Sequence, residues 1–126
     1  MIGYVTLGTN NLDNAAKFYD ELLAVIGAGR AMEGDTFIAW GTSPNAPALS
    51  IIEPYDGNAA TVGNGTMVAL AVDKPEKVHA LHARALELGG ANEGDPGPRM
   101  GNFYAGYFRD LDGNKLNAFC FVENQE

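Results

Sequence analysis

An internal repeat with an offset of 63 residues limits what this chain can fold into. One offset superposes a predicted strand, a predicted helix and the glycine that ends the helix. Identity between common apolar residues is modest evidence alone, but the shared order of elements strengthens it. The repeat predicts two copies of one folding unit. The identical pairs are Val5 and Val68, Leu7 and Leu70, Leu23 and Leu86, Gly27 and Gly90, and Ala28 and Ala91.

The first unit, residues 1–53, has the pattern of a strand, a helix and three further strands. Alternating apolar residues change to a helical spacing after Asn11, which is a possible N-cap. β-branched and aromatic residues favour strands in the second half of the unit. The predicted elements are a strand over 2–8, a helix over 12–25, a short segment at 30–32, and strands over 36–41 and 48–53.

The second unit, residues 67–126, follows a linker at 54–66 that is rich in turn-forming and small residues. Asp73 and Glu76 have the spacing of a capping box at the start of its helix. The predicted elements are a strand over 67–72, a helix over 73–88, a loop over 92–102 with an outer strand poorly defined near Glu93, and strands over 103–110 and 115–122.

The last two strands are joined by a tight turn within YFRDLDGNKLNAFC, residues 107–120. Aromatic and apolar residues flank a cluster of Asp, Gly and Asn, which is typical of a β-hairpin. The turn directs the final strand, which carries Asn117. This hairpin is therefore the first candidate for a segment that carries a functional polar side chain.

These patterns predict an α+β fold in which two βαβββ modules form a cupped, barrel-like mixed sheet with the helices outside. Each module has one helix to cover one sheet face, so the other face needs a partner. The modules pair either within one chain or by exchange between two chains. A homodimer is expected, because an open sheet face would expose an unusually large apolar surface.

Composition excludes several classes of function. The formal charge of -8, from 16 acidic and 8 basic residues, disfavours binding to nucleic acid or to an anionic membrane. The single cysteine, Cys120, excludes an intramolecular disulfide and a multi-cysteine metal site, and its strand position predicts a small buried side chain. No leader or membrane span is recognisable at the N-terminus, so a cytoplasmic location is expected.

Three segments resemble the vicinal oxygen chelate superfamily, which includes glyoxalase I, bleomycin-resistance proteins and extradiol dioxygenases. They are YVTLGTNNLDNAAKFYDELLAVIG, GNGTMVALAVDKPEKVHALHARALELGG and PGPRMGNFYAGYFRDLDGNKLNAFC, and together they extend over most of the chain. The resemblance implies the paired βαβββ fold. In metal-using members it also implies a divalent metal in the cup, held by two His, one Glu and a fourth ligand from an inner strand.

At the positions that the resemblance assigns to the first His, the second His and the Glu, this chain has Tyr4, Met67 and Asn117. The fourth position falls between Ala48 and Glu53, at Leu49 or Ser50. A phenol, a thioether and a neutral amide bind hard divalent metals poorly. The expectation is therefore a site without metal or other cofactor.

The predicted ligand-binding residues combine the altered family positions with their neighbours. Tyr4 and Met67 are related by the repeat and are expected to face the cup, either as pocket lining or as filled core. Arg99 is a candidate clamp for an anionic group or a charge-balancing loop residue. The full set of cup-lining candidates is Tyr4, Thr6, Met67, Asn117, Phe119, Arg99, Tyr104 and Tyr107.

Histidines 79 and 82 lie on the second helix at i, i+3 spacing. That helix is expected on the outer side of its sheet, so surface or half-buried side chains are the better interpretation than a metal site.

Three functions stay open from sequence. The favoured one is a protein that binds a small organic or cationic molecule, as the resemblance to bleomycin-resistance members implies. The second is a lyase or isomerase of the glyoxalase I type acting on a small carbonyl or thiol-conjugate substrate, with Tyr4, Glu53 or Arg99 in acid-base or anion-stabilising roles. The third is a structural module with a filled cup.

Overall fold

The chain folds into two units with the same element order, as the repeat predicts. The structure is a computed structural model that describes residues 1–123. The first unit, module 1, contains β1 (Tyr4–Gly8), α1 (Leu12–Ala24), β2 (Gly29–Glu33), β3 (Phe37–Gly41) and β4 (Ala48–Ile52). The second unit, module 2, contains β5 (Val68–Ala71), α2 (Pro75–Glu87), β6 (Ala91–Pro98), β7 (Phe103–Arg109) and β8 (Lys115–Phe121).

Each module forms its own four-stranded mixed sheet. Sheet 1 has the order β1-β4-β3-β2, and sheet 2 has the corresponding order β5-β8-β7-β6. The first strand of each module pairs in parallel with the last, and the other pairs are antiparallel. The predicted α+β fold of two βαβββ modules is therefore confirmed.

One face of each sheet packs against the helices and the other, called here the open face, does not. In β1, Val5 and Leu7 contact the core while Tyr4 and Thr6 are exposed. Val68 and Leu70 in β5 also contact the core, as their equivalence by the repeat predicts. Successive side chains of a strand point to opposite faces, so the period of two in the sequence sets these orientations.

The two helices begin differently. The Asn11 side chain accepts a hydrogen bond from the Asn14 backbone N–H at 3.1 Å, which confirms the predicted cap of α1. The capping box predicted for α2 is wrong, because the N-cap is Lys74 and its side chain makes no capping bond. Pro75 occupies the first turn, and Asp73 lies outside the helix, where it pairs with Lys77 at 3.1 Å.

The loop predicted at residues 92–102 is wrong over most of its length. Residues 91–98 form β6, which pairs with β7 through two shifts of register. Gly, Asp and Pro have low strand propensity, so the local sequence gives no strand signal. Hydrogen bonding to β7 holds this segment as a strand, and the register shifts accommodate its glycines and prolines.

One carboxylate joins the two modules. Asp110, at the start of the β7–β8 turn, accepts a hydrogen bond from the Tyr19 hydroxyl of α1 at 2.5 Å. It also accepts from the backbone N–H groups of Asp112 and Asn114 at 2.9 Å each, and from the Asn114 side chain at 3.0 Å. The same Asn114 amide donates to the Gly8 carbonyl at 2.9 Å. The hairpin turn of module 2 is thus bonded to α1 and β1 of module 1.

None of the helices described within residues 1–123 is long and apolar enough to cross a membrane.

We expect Tyr19→Phe to lower the free energy of unfolding by about 2 kcal/mol, since it removes a donor from a buried carboxylate. Urea denaturation measures the change. Tyr104→Phe is the control, because its hydroxyl bonds to the exposed His79 and its loss should cost less than about 0.5 kcal/mol. Equal losses in the two variants would contradict the role given to the Tyr19–Asp110 bond.

The same bond has a pH signature. Burial first, and then the charge of Asp110, raise the pKa of Tyr19 well above its ordinary value. The folded state therefore holds this proton more tightly than the unfolded state, so the contribution is complete below about pH 10 and is lost as the pH rises further. The alkaline loss of stability should be smaller in Tyr19→Phe than in the parent chain.

Candidate ligand-binding site

Asn117 lies at the centre of the open face of sheet 2. It stands on β8 between Ala69 of β5 and Tyr107 of β7. Its side chain is 1% exposed, and its Oδ1 atom has no hydrogen-bond partner within the part of the chain that the structure describes. A buried amide oxygen without a donor costs about 1–3 kcal/mol, so this position calls for a physical explanation.

Aromatic rings cover the open face on one side of Asn117. Phe103, Phe119 and Phe121 form a cluster with ring centroids 5.3–5.9 Å apart. Phe119 and Phe121 follow Asn117 at intervals of two along β8, and Phe103 is the cross-strand partner of Phe121. Phe121 remains 64% exposed, so the cluster presents an apolar surface rather than a closed core.

Basic side chains collect on the other side of Asn117. The guanidinium of Arg99 lies 5.3 Å and the ammonium of Lys115 lies 5.5 Å from the centroid of the Tyr107 ring. Arg109 is the cross-strand partner of Lys115 and pairs with Glu93. The hydrogen bond from Arg109 lowers the pKa of Glu93, and the charge of Lys115 adds a smaller effect.

Two cavities meet at Met67. The first, of about 510 Å³, is lined by Met67, Arg109, Lys115 and the loop 62–66. The second, of about 550 Å³, is largely apolar and lies between β1, β4 and residues 67–71. Met67 therefore stands at the junction of the two modules, where its flexible thioether can adapt to an occupant.

Tyr4 and Thr6 lie on the open face of sheet 1, where both are exposed. Ser50 is the cross-strand partner of Thr6 in the same way that Asn117 is the partner of Ala69. This register makes Ser50, rather than Leu49, the equivalent of Asn117 on sheet 1. Ser50 is buried on the open face, whereas Leu49 belongs to the core on the helix side.

Tyr104 does not lie with the other candidates. Its hydroxyl forms a hydrogen bond with Nε2 of His79 on α2, at 2.6 Å. The expectation that Tyr104 lines the cup is wrong in orientation, because the alternation along β7 that brings Tyr107 to the open face turns Tyr104 towards the helix.

His82 also differs from expectation, since it is buried. It bonds to Asn92 at 3.0 Å, while His79 bonds to Tyr104, so the two imidazoles have separate partners. Cys120 is buried on the helix side as predicted, and burial raises the pKa of its thiol.

The residues at the family's metal positions do not fit a divalent metal. A phenol, a thioether and two neutral oxygens from Ser50 and Asn117 supply no anionic or imidazole ligand. Within residues 1–123, no three His, Cys, Asp or Glu side chains form a group that could hold a metal ion.

Sequence reasoning missed four residues of the open face: Phe103, Arg109, Lys115 and Phe121. A signal for two of them existed, because Lys115 and Phe121 stand at even intervals from Asn117 on one strand. The other two stand at even intervals from Tyr107 on β7, and the pairing of β7 with β8 brings them to the face of Asn117.

Comparisons with known proteins agree with this architecture. A family model described as Glyoxalase/Bleomycin resistance protein/Dioxygenase superfamily matches residues 1–118, and the chain belongs to this family. A glyoxalase/bleomycin resistance protein from Albidiferax ferrireducens T118 is 36% identical, with a TM-score of 0.89 over 97% of this chain and 99% of that one. A search among curated proteins finds no match.

More distant structures share the fold. A glyoxalase/bleomycin resistance protein/dioxygenase family enzyme from Burkholderia phytofirmans PsJN is 16% identical, with a TM-score of 0.76 over 95% of this chain and 98% of that one. Lactoylglutathione lyase from Agrobacterium tumefaciens is 17% identical, with a TM-score of 0.69 over 95% of this chain and 92% of that one.

Proposed function

We propose that this chain binds a small organic molecule on the open face of sheet 2, without metal catalysis. Asn117 hydrogen-bonds the ligand, and the Phe103–Phe119–Phe121 cluster contacts its apolar part. This arrangement suits a binding site, in which a few polar groups on an apolar surface orient the ligand.

The observation that carries the proposal is the unpartnered Oδ1 of Asn117. The Nδ2 atom of Asn114, three residues earlier and similarly buried, donates to the Gly8 carbonyl and to the Asp110 carboxylate. The fold therefore gives hydrogen-bond partners to the side chain of one buried asparagine of this hairpin, whereas the Oδ1 atom of the other has none among the described residues. A donor group on a ligand would recover the lost hydrogen bond.

Binding is favoured over catalysis by the chemistry of the surrounding side chains. The ionisable groups around Asn117 on the open face include Arg99, Tyr107, Arg109 and Lys115, and Glu93 is engaged by Arg109. Both histidines lie on α2, on the helix side of sheet 2. The face thus offers hydrogen bonding and charge, but its described residues supply no free carboxylate or imidazole to act as a general base.

We also propose that a second copy of the chain covers the open faces. Tyr4, Met32 and Phe121 are 69%, 62% and 64% exposed on these faces. The outer edges of β1 and β5 have no strand partner within the described chain. A homodimer would bury the apolar residues and place Tyr4 and Thr6 of one copy against the ligand face of the other. The exposure of Tyr4 weighs against a cup filled by its own side chains.

Asn117→Leu should abolish ligand binding without destabilising the protein, because it removes a buried oxygen that has no partner. The probes are 3-phenylpropanoate, 3-phenylpropanamide and 3-phenylpropylammonium. Thermal shift and calorimetry measure their binding. We expect 3-phenylpropanamide, whose N–H groups can donate to Oδ1, to bind the parent chain and to lose at least tenfold in affinity in Asn117→Leu.

Asn114→Leu is the matched control for stability. It removes hydrogen bonds to Asp110 and Gly8, so it should cost about 2–3 kcal/mol. Failure of all three probes to bind, or equal destabilisation by the two leucine variants, would contradict the proposed role of Asn117.

The protein purified without a tag should contain well below one equivalent of nickel, zinc or iron per chain. Elemental analysis measures this directly. Addition of these metals should not produce turnover of a hemithioacetal substrate, since the donor set lacks the ligands they require. Stoichiometric metal, or turnover abolished by Tyr4→Phe, would instead favour a glyoxalase-like enzyme.

Light scattering at micromolar concentration should give twice the mass of one chain. Phe121→Lys should shift the equilibrium to the monomer, since it places a charge in the covered face. Lys17→Glu is the control, because Lys17 is exposed on α1 and lies outside the open faces. A monomeric parent chain would rule out the proposed dimer.

A further inference from the structure

The open face of sheet 2 concentrates positive charge in an acidic protein. The chain has 16 acidic and 8 basic residues, yet three of the basic residues lie in one part of this face. Arg99 and Lys115 both lie over the Tyr107 ring, and Arg109 is directly opposite Lys115 across the strands. These positive charges are therefore concentrated on one face of a molecule whose net charge is negative.

The counter-ions on this face do not balance the charge. Arg109 pairs with Glu93, as other arginines of the chain pair with carboxylates. Arg99 donates to the backbone carbonyls of Asp95, Gly97 and Pro98, which orient the guanidinium but carry no net charge. Lys115 forms no salt bridge with any residue in the described range 1–123.

Stability does not explain the arrangement. Like charges directly opposite each other on neighbouring strands are destabilising, and Arg109 and Lys115 are such a pair. A cation over an aromatic ring at an exposed site recovers only about 0.5–1 kcal/mol. Glu93 pairs with Arg109, and an anion beside Lys115 would supply the corresponding counter-charge to the lysine.

Space for that anion lies beside Lys115. The cavity of about 510 Å³ is bounded by Arg109, Lys115, Met67 and the loop 62–66. Asn117 follows Lys115 by two residues on the same face, and its buried side chain has an unpartnered oxygen. The phenylalanine cluster continues the surface beyond Asn117. Along β8, the face thus changes from cationic to polar to aromatic.

We infer that the ligand is an organic anion with an aromatic or similarly apolar body. Its carboxylate or phosphate occupies the cavity at Lys115 and Arg109, with Arg99 at the rim, and its apolar body lies on Phe119 and its neighbours. A donor group between the two ends binds Oδ1 of Asn117. This inference rests on the proposed binding function and names the class of ligand.

The three phenylpropyl probes share one apolar body and differ in the charge of the polar end group, so they test which charge the site prefers. By calorimetry at low ionic strength, 3-phenylpropanoate should bind at least tenfold more tightly than 3-phenylpropanamide and 3-phenylpropylammonium. Its affinity should fall as salt is added, because screening weakens an ionic contact at a partly exposed site. Comparison of phenyl phosphate with 3-phenylpropanoate tests whether the site prefers a phosphate or a carboxylate. Comparison of phenyl phosphate with inorganic phosphate measures what the apolar body contributes to the affinity.

Variants locate the anion. Lys115→Met should weaken 3-phenylpropanoate binding at least tenfold more than it weakens binding of the amide probe, and Arg99→Met should have a smaller effect of the same sign. Lys17→Met is the matched control for loss of one positive charge elsewhere, and it should leave all affinities unchanged.

The outcomes separate the two proposals. If the amide or the ammonium probe binds as tightly as the carboxylate, or if Lys17→Met acts like Lys115→Met, the anion assignment is wrong and the binding function survives. If no probe binds at all, both the anion assignment and the binding function are wrong.

Discussion

The rest of the structure depends on the hydrogen bonds that Asp110 accepts. Three come from its own turn, and the fourth comes from Tyr19 in the other module. A carboxylate with several donors can be buried without an ion pair, because each lone pair that loses water gains a protein donor. The turn and the contact between modules are therefore stabilised by one group.

The position of the site follows from that contact. Asp110 and Asn114 close the turn, with Gly113 at a positive φ of 89° that other residues rarely adopt. The turn sets the register of β8 against β7, and a shift by one residue would move Asn117 to the helix side. In the observed register Lys115, Asn117, Phe119 and Phe121 share the open face. The order of cationic, polar and aromatic side chains along that face is a consequence of the turn.

Much of the fold was predictable because its signals are local. The helical spacing after Asn11 and the Asp-Gly-Asn turn each depend on residues close in sequence, and the repeat is found by comparing two such local patterns. β6 was missed because its glycines and prolines form a strand only by pairing with β7. The capping box failed because Pro75 begins α2, which makes Lys74 the N-cap, one residue after the expected Asp73. Both errors arise where a neighbouring element or a single proline overrides local propensity.

The residues of the candidate site also fall into those that the sequence predicts and those that depend on tertiary contacts. The sequence by itself, through its resemblance to the family, predicted that Tyr4, Met67 and Asn117 stand at the family's metal positions, and the repeat predicted that Tyr4 and Met67 are equivalent. It also determined which strand residues share a face with Asn117, because side chains alternate along a strand. Only the tertiary structure decided that Tyr104 turns towards α2 and that Ser50 is the counterpart of Asn117. It also decided that Arg99 and Lys115 lie over the Tyr107 ring, with Arg109 opposite Lys115. These facts depend on pairing between strands and on a loop arginine, and such long-range contacts are set by packing of the whole chain.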